Sequence, residues 1–167
     1  METLISTEKI AEKVQELGDQ ISRDYSDTCP VLVCVLKGSF IFTADLMRAI
    51  SASHTVEFLK ASSYGSASVS SGKVNIQQFE LDVTGKHVLV IEDIVDTGLT
   101  LQYIMAYLSE QKPASLRLCA LLNKPTARQV DIPIDYCGFT ISDAFVVGYG
   151  LDLDERYRHL PYVGIAT

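Results

Sequence analysis

The clearest pattern along the chain is a set of short apolar runs separated by segments with helical spacing. Residues 31–36, 88–91 and 116–122 are apolar throughout, apart from Arg117. Runs of this length are typical of strands that are covered on both faces of a parallel sheet. The sequence therefore predicts buried central strands rather than the alternating strands of a half-exposed sheet.

Three helices are predicted around these runs. Ser6 or Thr7 can cap the first helix, and residues 40–50 are interpreted as the second. The apolar positions that mark the first and third helices are Ile10, Val14, Leu17 and Ile21, and Leu101, Ile104, Met105 and Leu108. Alternating strands and helices predict one α/β domain over residues 1–167, with a mainly parallel central sheet flanked by helices.

The remaining strand candidates are shorter or less apolar. Residues 55–60 alternate, with Val56 and Phe58 expected to face the core, and residues 74–81 are expected to pair with them. Residues 136–141 and 145–147 are further candidates. Residues 61–73 lack periodicity and are rich in serine, so they are interpreted either as an idle hairpin loop or as a flexible lid.

Composition narrows the class of protein. The chain has 167 residues, 47% hydrophobic and 21% charged, with a formal net charge of −7. This balance disfavours nucleic-acid binding, which usually needs a basic face. No apolar run approaches the roughly 20 residues of a membrane span, and the N-terminus lacks a signal core. The four cysteines show no Cys-x-x-Cys spacing, so we expect reduced thiols in a cytoplasmic protein rather than a zinc site.

Candidate chemistry is concentrated in residues 88–100. Glu92 and Asp93 are expected where the strand ends, and Asp96 opens a Thr-Gly-Leu-Thr loop that leads into the third helix. Each part alone could be structural, as a solvated turn or a helix cap. Three carboxylates within five residues nevertheless repel one another unless positive charge lies nearby. The segment therefore predicts a site for an anion and a cation at the carboxyl end of a strand.

Residues 88–100 resemble the phosphoribosyl pyrophosphate signature of the type I phosphoribosyltransferases, and the likeness extends over nearly the whole chain. Leu36-Lys37-Gly38 resembles the family's pyrophosphate loop, whose Leu36–Lys37 peptide can be cis. The branch that acts on 6-oxopurines is indicated by Lys124 together with Phe145 and Asp152, and Arg158 resembles a residue of the family's C-terminal part. The resemblance implies the type I fold, with a small hood and a flexible lid loop.

The resemblance also implies an activity. The 5-phosphoribosyl group would pass from phosphoribosyl pyrophosphate to N9 of hypoxanthine or guanine, giving IMP or GMP and pyrophosphate, with xanthine as a further candidate base. Mg²⁺ would be the cofactor, held mainly by the substrate. The protein would be a homodimer or homotetramer that binds neither nucleic acid nor a membrane.

The resemblance assigns roles to individual residues. Asp96 is the expected general base, and Glu92 and Asp93 are expected to face the ribose and its transition state. The 5-phosphate residues are Asp96, Thr97, Gly98, Leu99 and Thr100, and the pyrophosphate residues are Lys37, Gly38 and Arg158. The purine residues are Lys124, Phe145, Val146 and Asp152, the metal contacts are Glu92, Asp93 and Asp152, and the lid pair is Ser63 and Tyr64.

Several alternatives stay open on the sequence alone. Phe145 could be an ordinary core residue, which would be the better interpretation without the resemblance. Glu92, Asp93 and Lys124-Pro125 also resemble pieces of a receiver signalling domain, although their order is wrong. A third alternative is a regulatory protein that keeps the fold without catalysis. The P-loop pattern is absent, which disfavours an NTPase.

Overall fold

The structure is a computed structural model that describes residues 1–63, 74–77 and 81–166. Its helices are α1 (Thr7–Asp24), α2 (Phe40–Ala49) and α3 (Leu99–Glu110), with a short 3₁₀ turn at Pro125–Ala127. Its strands are β1 (Glu2–Ile5), β2 (Val31–Leu36), β3 (Thr55–Ser63), β4 (Val74–Gln77), β5 (His87–Val95), β6 (Ser115–Asn123), β7 (Tyr136–Thr140), β8 (Val146–Val147) and β9 (Val163–Ile165).

The main sheet has the strand order β4-β3-β2-β5-β6-β7. Strands β3, β2, β5, β6 and β7 are parallel, and β4 pairs antiparallel with β3. This arrangement confirms the predicted α/β fold with a mainly parallel sheet. Leu89, Val90 and Ile91 of the central strand are completely buried, because both faces of the sheet are covered.

The two faces of the sheet form two hydrophobic cores. Helices α1 and α2 contribute to one core and α3 to the other. Neighbouring residues of β5 point to opposite faces, so that Leu89 belongs to the first core and Val90 to the second. Helix α1 begins after Ser6, whose Oγ accepts a hydrogen bond from the N–H of Lys9 at 3.4 Å. Ser6 is therefore the cap among the two candidates.

The edge of the sheet departs from the predicted pattern. Phe58 was expected to face the core, but it is 47% exposed, whereas the adjacent Leu59 is only 2% exposed. Phe58 borders an open cavity together with Lys37 and Phe40, which explains its exposure. Strand β3 also runs to Ser63, beyond the predicted end, because residues 60–63 pair with β4. The proposed lid residue Tyr64 and most of the serine-rich segment lie outside the described residues.

A second, three-stranded sheet with the order β1-β9-β8 forms the hood. Strand β8 was predicted, but β1 and β9 were not, because they are short and join the two ends of the chain. The hood hairpin (residues 148–160) follows β8 and is fastened to α2, where the hydroxyl of Tyr149 donates to Oδ2 of Asp45 at 2.6 Å. Within the described ranges, no helix is long and apolar enough to cross a membrane.

Candidate active site

The two adjacent acids lie inside β5 rather than after it, which corrects the expectation from the sequence. The ladder between β5 and β6 continues to Val95 and Asn123, whereas the ladder to β2 stops at Cys34 and Ile91. Glu92 and Asp93 therefore lie where β5 has lost one neighbour, and each is only 8% exposed. Two carboxylates are thus buried at the carboxyl edge of the sheet.

Burial makes this acid pair electrostatically unfavourable. Loss of solvent raises the pKa of Glu92 well above its ordinary value, and the negative charge of Asp93 raises it further. The N–H of Asp93 donates to Oε1 of Glu92 at 3.1 Å, and the N–H of Ile94 donates to Oδ1 of Asp93 at 2.9 Å. These two hydrogen bonds offset only part of the free-energy cost of burying two neighbouring carboxylates. The pair is therefore suited to a site where positive charge develops.

Replacing Glu92 with glutamine should stabilise the protein near pH 8, by about 1 kcal/mol. Because the pKa of Glu92 is raised above 4.5 in the folded state, the native protein keeps a proton that the unfolded chain has already released. Wild-type stability therefore falls as the pH rises from about 4.5 through the native pKa, and the variant lacks this loss.

Urea unfolding near pH 4 and near pH 8 measures the effect of Glu92→Gln on the free energy of unfolding. The difference in unfolding free energy between variant and wild type should be larger near pH 8. The same substitution at the exposed Glu12 of α1 is the control and should show no such dependence. A stability difference that is equal at the two pH values would contradict the assignment to Glu92.

The predicted pyrophosphate loop packs directly against the acid pair. The peptide between Leu36 and Lys37 is cis. A Cβ on Gly38 would overlap the carboxylate of Asp93, and a Cβ on Gly150 of the hood hairpin would overlap the carbonyl of Gly38. Only glycine allows this close approach, because it has no Cβ. The loop is therefore held between β5 and the hood hairpin.

The predicted phosphate loop is closed by its own side chains. Oδ1 of Asp96 accepts a hydrogen bond from the N–H of Thr97 at 2.6 Å, and Oγ1 of Thr97 accepts from the N–H of Leu99 at 3.3 Å. Gly98 caps α3 with a φ of 82°, in the left-handed region that favours glycine. The first N–H groups of a helix lack intrahelical partners, so the N-terminus of α3 is suited to an anion.

Arg128, which was not predicted from the sequence, supports the backbone of this loop. Nε of Arg128 donates to the carbonyl of Asp96 at 2.9 Å, and Nη2 donates to the carbonyl of Val95 at 3.2 Å. Nη2 also donates to Oδ1 of Asn123 at 2.6 Å, which ties the ends of β5 and β6 together. Arg128 follows Asp96 by 32 residues in an irregular segment, so no local pattern indicated the contact.

Lys124 follows the end of β6 and contacts the segment that leads to Phe145 and β8. Nζ of Lys124 forms an ion pair with Oδ1 of Asp143 at 2.7 Å and donates to the carbonyl of Ala144 at 3.1 Å. Phe145 is 57% exposed although Val146 beside it is buried, so the interpretation of Phe145 as core is wrong. An exposed ring beside a lysine can accept a flat, polar ligand. Asp143 had not been identified from the sequence.

Asp152 and Arg158 form an ion pair with each other, although they were predicted to belong to different subsites. Oδ1 of Asp152 lies 2.8 Å from Nη2 of Arg158, and Oδ2 accepts from the N–H of Glu155 at 2.9 Å. Nη1 of Arg158 donates to the carbonyl of Gly150 at 2.7 Å.

Across residues 1–63, 74–77 and 81–166, no group of three or more His, Cys, Asp or Glu side chains could hold a metal ion.

The acid pair, the phosphate loop and the pyrophosphate loop thus meet at one edge of a parallel sheet. The model of the phosphoribosyl transferase domain matches residues 2–154. The chain belongs to the phosphoribosyltransferase family. This assignment, which confirms the resemblance in the sequence, disfavours the receiver domain.

Two relatives and one solved structure illustrate the similarity within the phosphoribosyltransferase family. The hypoxanthine-guanine phosphoribosyltransferase of Bacillus subtilis is 47% identical over 163 residues, 97% of this chain and 91% of that protein. The hypoxanthine phosphoribosyltransferase of Escherichia coli K12 is 47% identical over 167 residues, 98% of this chain and 94% of that protein. A hypoxanthine-guanine phosphoribosyltransferase structure from Bacillus anthracis has a TM-score of 0.94 and 46% identity, covering 100% of this chain and 99% of that one.

Proposed function

We propose that the protein transfers the 5-phosphoribosyl group from phosphoribosyl pyrophosphate to N9 of hypoxanthine or guanine, in purine salvage. The observation that carries this proposal is the acid pair buried inside β5, on a chain that also has a candidate phosphate loop after β5 and a lysine after β6. The relatives named as hypoxanthine and hypoxanthine-guanine phosphoribosyltransferases support the same activity over almost the full length. A regulatory protein without catalysis is disfavoured by these relatives.

The acids divide the work of the proposed reaction. A bond forms between purine N9 and ribose C1 while the bond from C1 to the pyrophosphate oxygen breaks. Asp96 accepts the proton from purine N7. Glu92 and Asp93 face the ribose, where positive charge develops as in other glycosyl transfers. Their mutual repulsion is relieved most when that charge is greatest, so the pair stabilises the transition state more than the ground state.

The phosphate groups of the substrate have separate subsites in this proposal. The N-terminus of α3 and the loop from Asp96 to Thr100 bind the 5-phosphate, because helix N–H groups favour an anion. Lys37, Gly38 and Arg158 bind the pyrophosphate. Lys37 and Arg158 supply positive charge, and Gly38 allows the backbone to approach the ligand closely.

Lys124 determines the preference for 6-oxopurines in this proposal. Its side chain is 15% exposed, and its ammonium group can donate to the O6 atom of hypoxanthine or guanine. Adenine presents an amino group at that position, which would leave one donor facing another. Phe145 stacks on the purine face, and the backbones of Val146 and Asp152 contact the edge of the base.

The donor atoms of the site fit Mg²⁺ as a cation carried mainly by the substrate. Mg²⁺ prefers oxygen ligands and commonly keeps only one or two protein carboxylates with substrate phosphates. Glu92 and Asp93 are buried carboxylates on the ribose side, and Asp152 would contribute through water. When bound, the ion would neutralise charge on the leaving pyrophosphate.

Release of pyrophosphate from phosphoribosyl pyrophosphate tests the proposed function. The assay compares hypoxanthine, guanine, xanthine, adenine and uracil in the presence of Mg²⁺. Turnover is expected with hypoxanthine or guanine and not with adenine or uracil. An enzyme that uses neither hypoxanthine nor guanine would contradict the proposal.

Replacing Lys124 with glutamine should lower kcat/KM for hypoxanthine by about 10- to 100-fold, the effect of losing one hydrogen bond from a charged donor. The KM for phosphoribosyl pyrophosphate should change by less than about threefold, because the ammonium group contacts the base subsite. Steady-state kinetics with each substrate varied in turn measures both effects. The exposed Lys86 provides a matched control variant, and equal losses for both substrates would indicate a general defect in folding.

A cytoplasmic homodimer or homotetramer is part of the same proposal. The four cysteines are free thiols, which is typical of a reducing compartment. Light scattering that gave only the monomer mass would contradict the oligomer.

A further inference from the structure

Lys37 and Arg158 share one carboxylate of the chain itself. Oε2 of Glu155 lies 2.9 Å from Nζ of Lys37 and 3.3 Å from Nη2 of Arg158. Both cations belong to the pyrophosphate subsite of the proposed function. An internal anion therefore occupies the position between the two groups that a pyrophosphate has to reach.

We propose that Glu155 is a built-in competitor for pyrophosphate. Its carboxylate pairs with Lys37 and Arg158 in the free protein and is displaced when phosphoribosyl pyrophosphate binds. After displacement it remains a nearby negative charge, so it also weakens the hold on the pyrophosphate product. This inference rests on the proposed function, because that function assigns the two cations to pyrophosphate.

The exposure of these groups makes displacement inexpensive. The side chains of Glu155 and Lys37 are 65% and 52% exposed, and ion pairs with this exposure contribute little to stability. Arg158 is only 19% exposed, and it keeps its bonds to Asp152 and Gly150 when Glu155 leaves. Arg158 thus stays in place, and the side chain of Glu155 can rotate away from it towards the solvent.

The backbone holds Glu155 in place for this role. Its N–H donates to Oδ2 of Asp152 at 2.9 Å, so the main chain stays anchored if the side chain swings away. Asp154, Glu155 and Tyr157 have φ values of 51°, 61° and 73°, a left-handed conformation that is uncommon for residues other than glycine. Such a conformation persists only where surrounding contacts enforce it. The side chain of Glu155 is bonded to Lys37, which lies 118 residues earlier.

The surrounding cavity supplies a matched control. Lys37, Glu155, Arg158 and Glu57 line the same cavity of about 740 Å³. Glu57 is exposed and carries the same charge, but Lys37 and Arg158 form their ion pairs with Glu155 and Asp152. Replacing each glutamate with glutamine removes one unit of charge from the cavity, and only Glu155→Gln removes the shared partner.

Calorimetric titration with inorganic pyrophosphate at fixed ionic strength tests the competitor. Glu155→Gln should bind pyrophosphate about three- to tenfold more tightly than wild type, the range expected for removing two weak ion pairs. Glu57→Gln should change the affinity by less than about twofold. If Glu155 instead held Lys37 and Arg158 in a productive position, Glu155→Gln would bind pyrophosphate more weakly.

Kinetics separate this inference from the proposed function. In Glu155→Gln the KM for phosphoribosyl pyrophosphate should fall by a similar factor, while the KM for hypoxanthine should stay unchanged. Wild type that fails to use any purine would contradict the proposed function. Active wild type with equal, weaker or undetectable pyrophosphate binding by Glu155→Gln would overturn the competitor, and so would equal tightening in Glu57→Gln.

Discussion

Replacing Gly38 with alanine should reduce turnover by about 100-fold or more, since misplacement of reacting groups by about 1 Å can cost that much. The three atoms nearest to the added Cβ all belong to the carboxylate of Asp93. The methyl group would therefore move either Asp93 away from its proposed place at the ribose or the loop at Gly38 away from the sheet. Either movement separates two parts of the proposed site.

Single-turnover kinetics and thermal unfolding measure this effect together. Gly85→Ala is the control, because Gly85 has a φ of 68° but open space around its Cβ position. This control should lose stability through backbone conformation and keep its turnover. A Gly38→Ala variant that folds normally and turns over within about twofold of wild type would contradict the close packing.

A double variant separates folding from catalysis in the same experiment. Asp93→Ala removes the three atoms that lie nearest to the new Cβ. The destabilisation caused by Gly38→Ala should therefore be smaller in the Asp93→Ala background, a coupling that a double-mutant cycle reports. Turnover should stay low in the double variant, because the proposed ribose subsite has lost a carboxylate.

Asparagine at position 96 should lower kcat by about 100-fold or more if Asp96 acts as the general base. Asp96 is exposed, and Oδ1 of its side chain accepts a bond from the N–H of Thr97. The amide oxygen of asparagine can accept the same bond, so the fold should keep its stability within about 0.5 kcal/mol. The variant thus removes basicity and charge with little change of structure.

Single-turnover measurements again isolate the chemical step, because product release often limits kcat. Asp82 is the matched control, since it is also exposed and its Oδ1 accepts a backbone bond from the N–H of Thr84 at 3.0 Å. Asp82→Asn should leave the rate unchanged. An unchanged chemical rate in Asp96→Asn would remove the base from the proposed mechanism.

The central part of the fold could be predicted because both its strands and its helices have local signatures. A strand buried on both faces, such as residues 88–91, leaves a continuous apolar run, and α1 leaves apolar residues at helical spacing. Strands β1 and β9 had no such signature, since they are short and depend on pairing between the two ends of the chain. The orientation of Phe58 was predicted wrongly, because the alternation of apolar and polar residues does not show where the part of a sheet that is covered by other elements ends.

The candidate site divides in the same way. Its acids, its phosphate loop and Lys124 could be selected from residue type, order and resemblance. Their burial could not, because Glu92 and Asp93 were expected in a turn and lie inside β5. The ladder to β6 continues past the point where β2 turns away, and this difference between two neighbours is not visible in β5 itself.

The sequence by itself determined the alternating α/β architecture, the family resemblance and the residue types available for catalysis, because these depend on local order along the chain. Only the tertiary structure decided which of those groups touch. It joined Asp93 to Gly38, Arg128 to the phosphate loop, and Glu155 to Lys37. Each of these contacts spans many residues, and strand order and hairpin position, which local periodicity does not encode, bring the partners together.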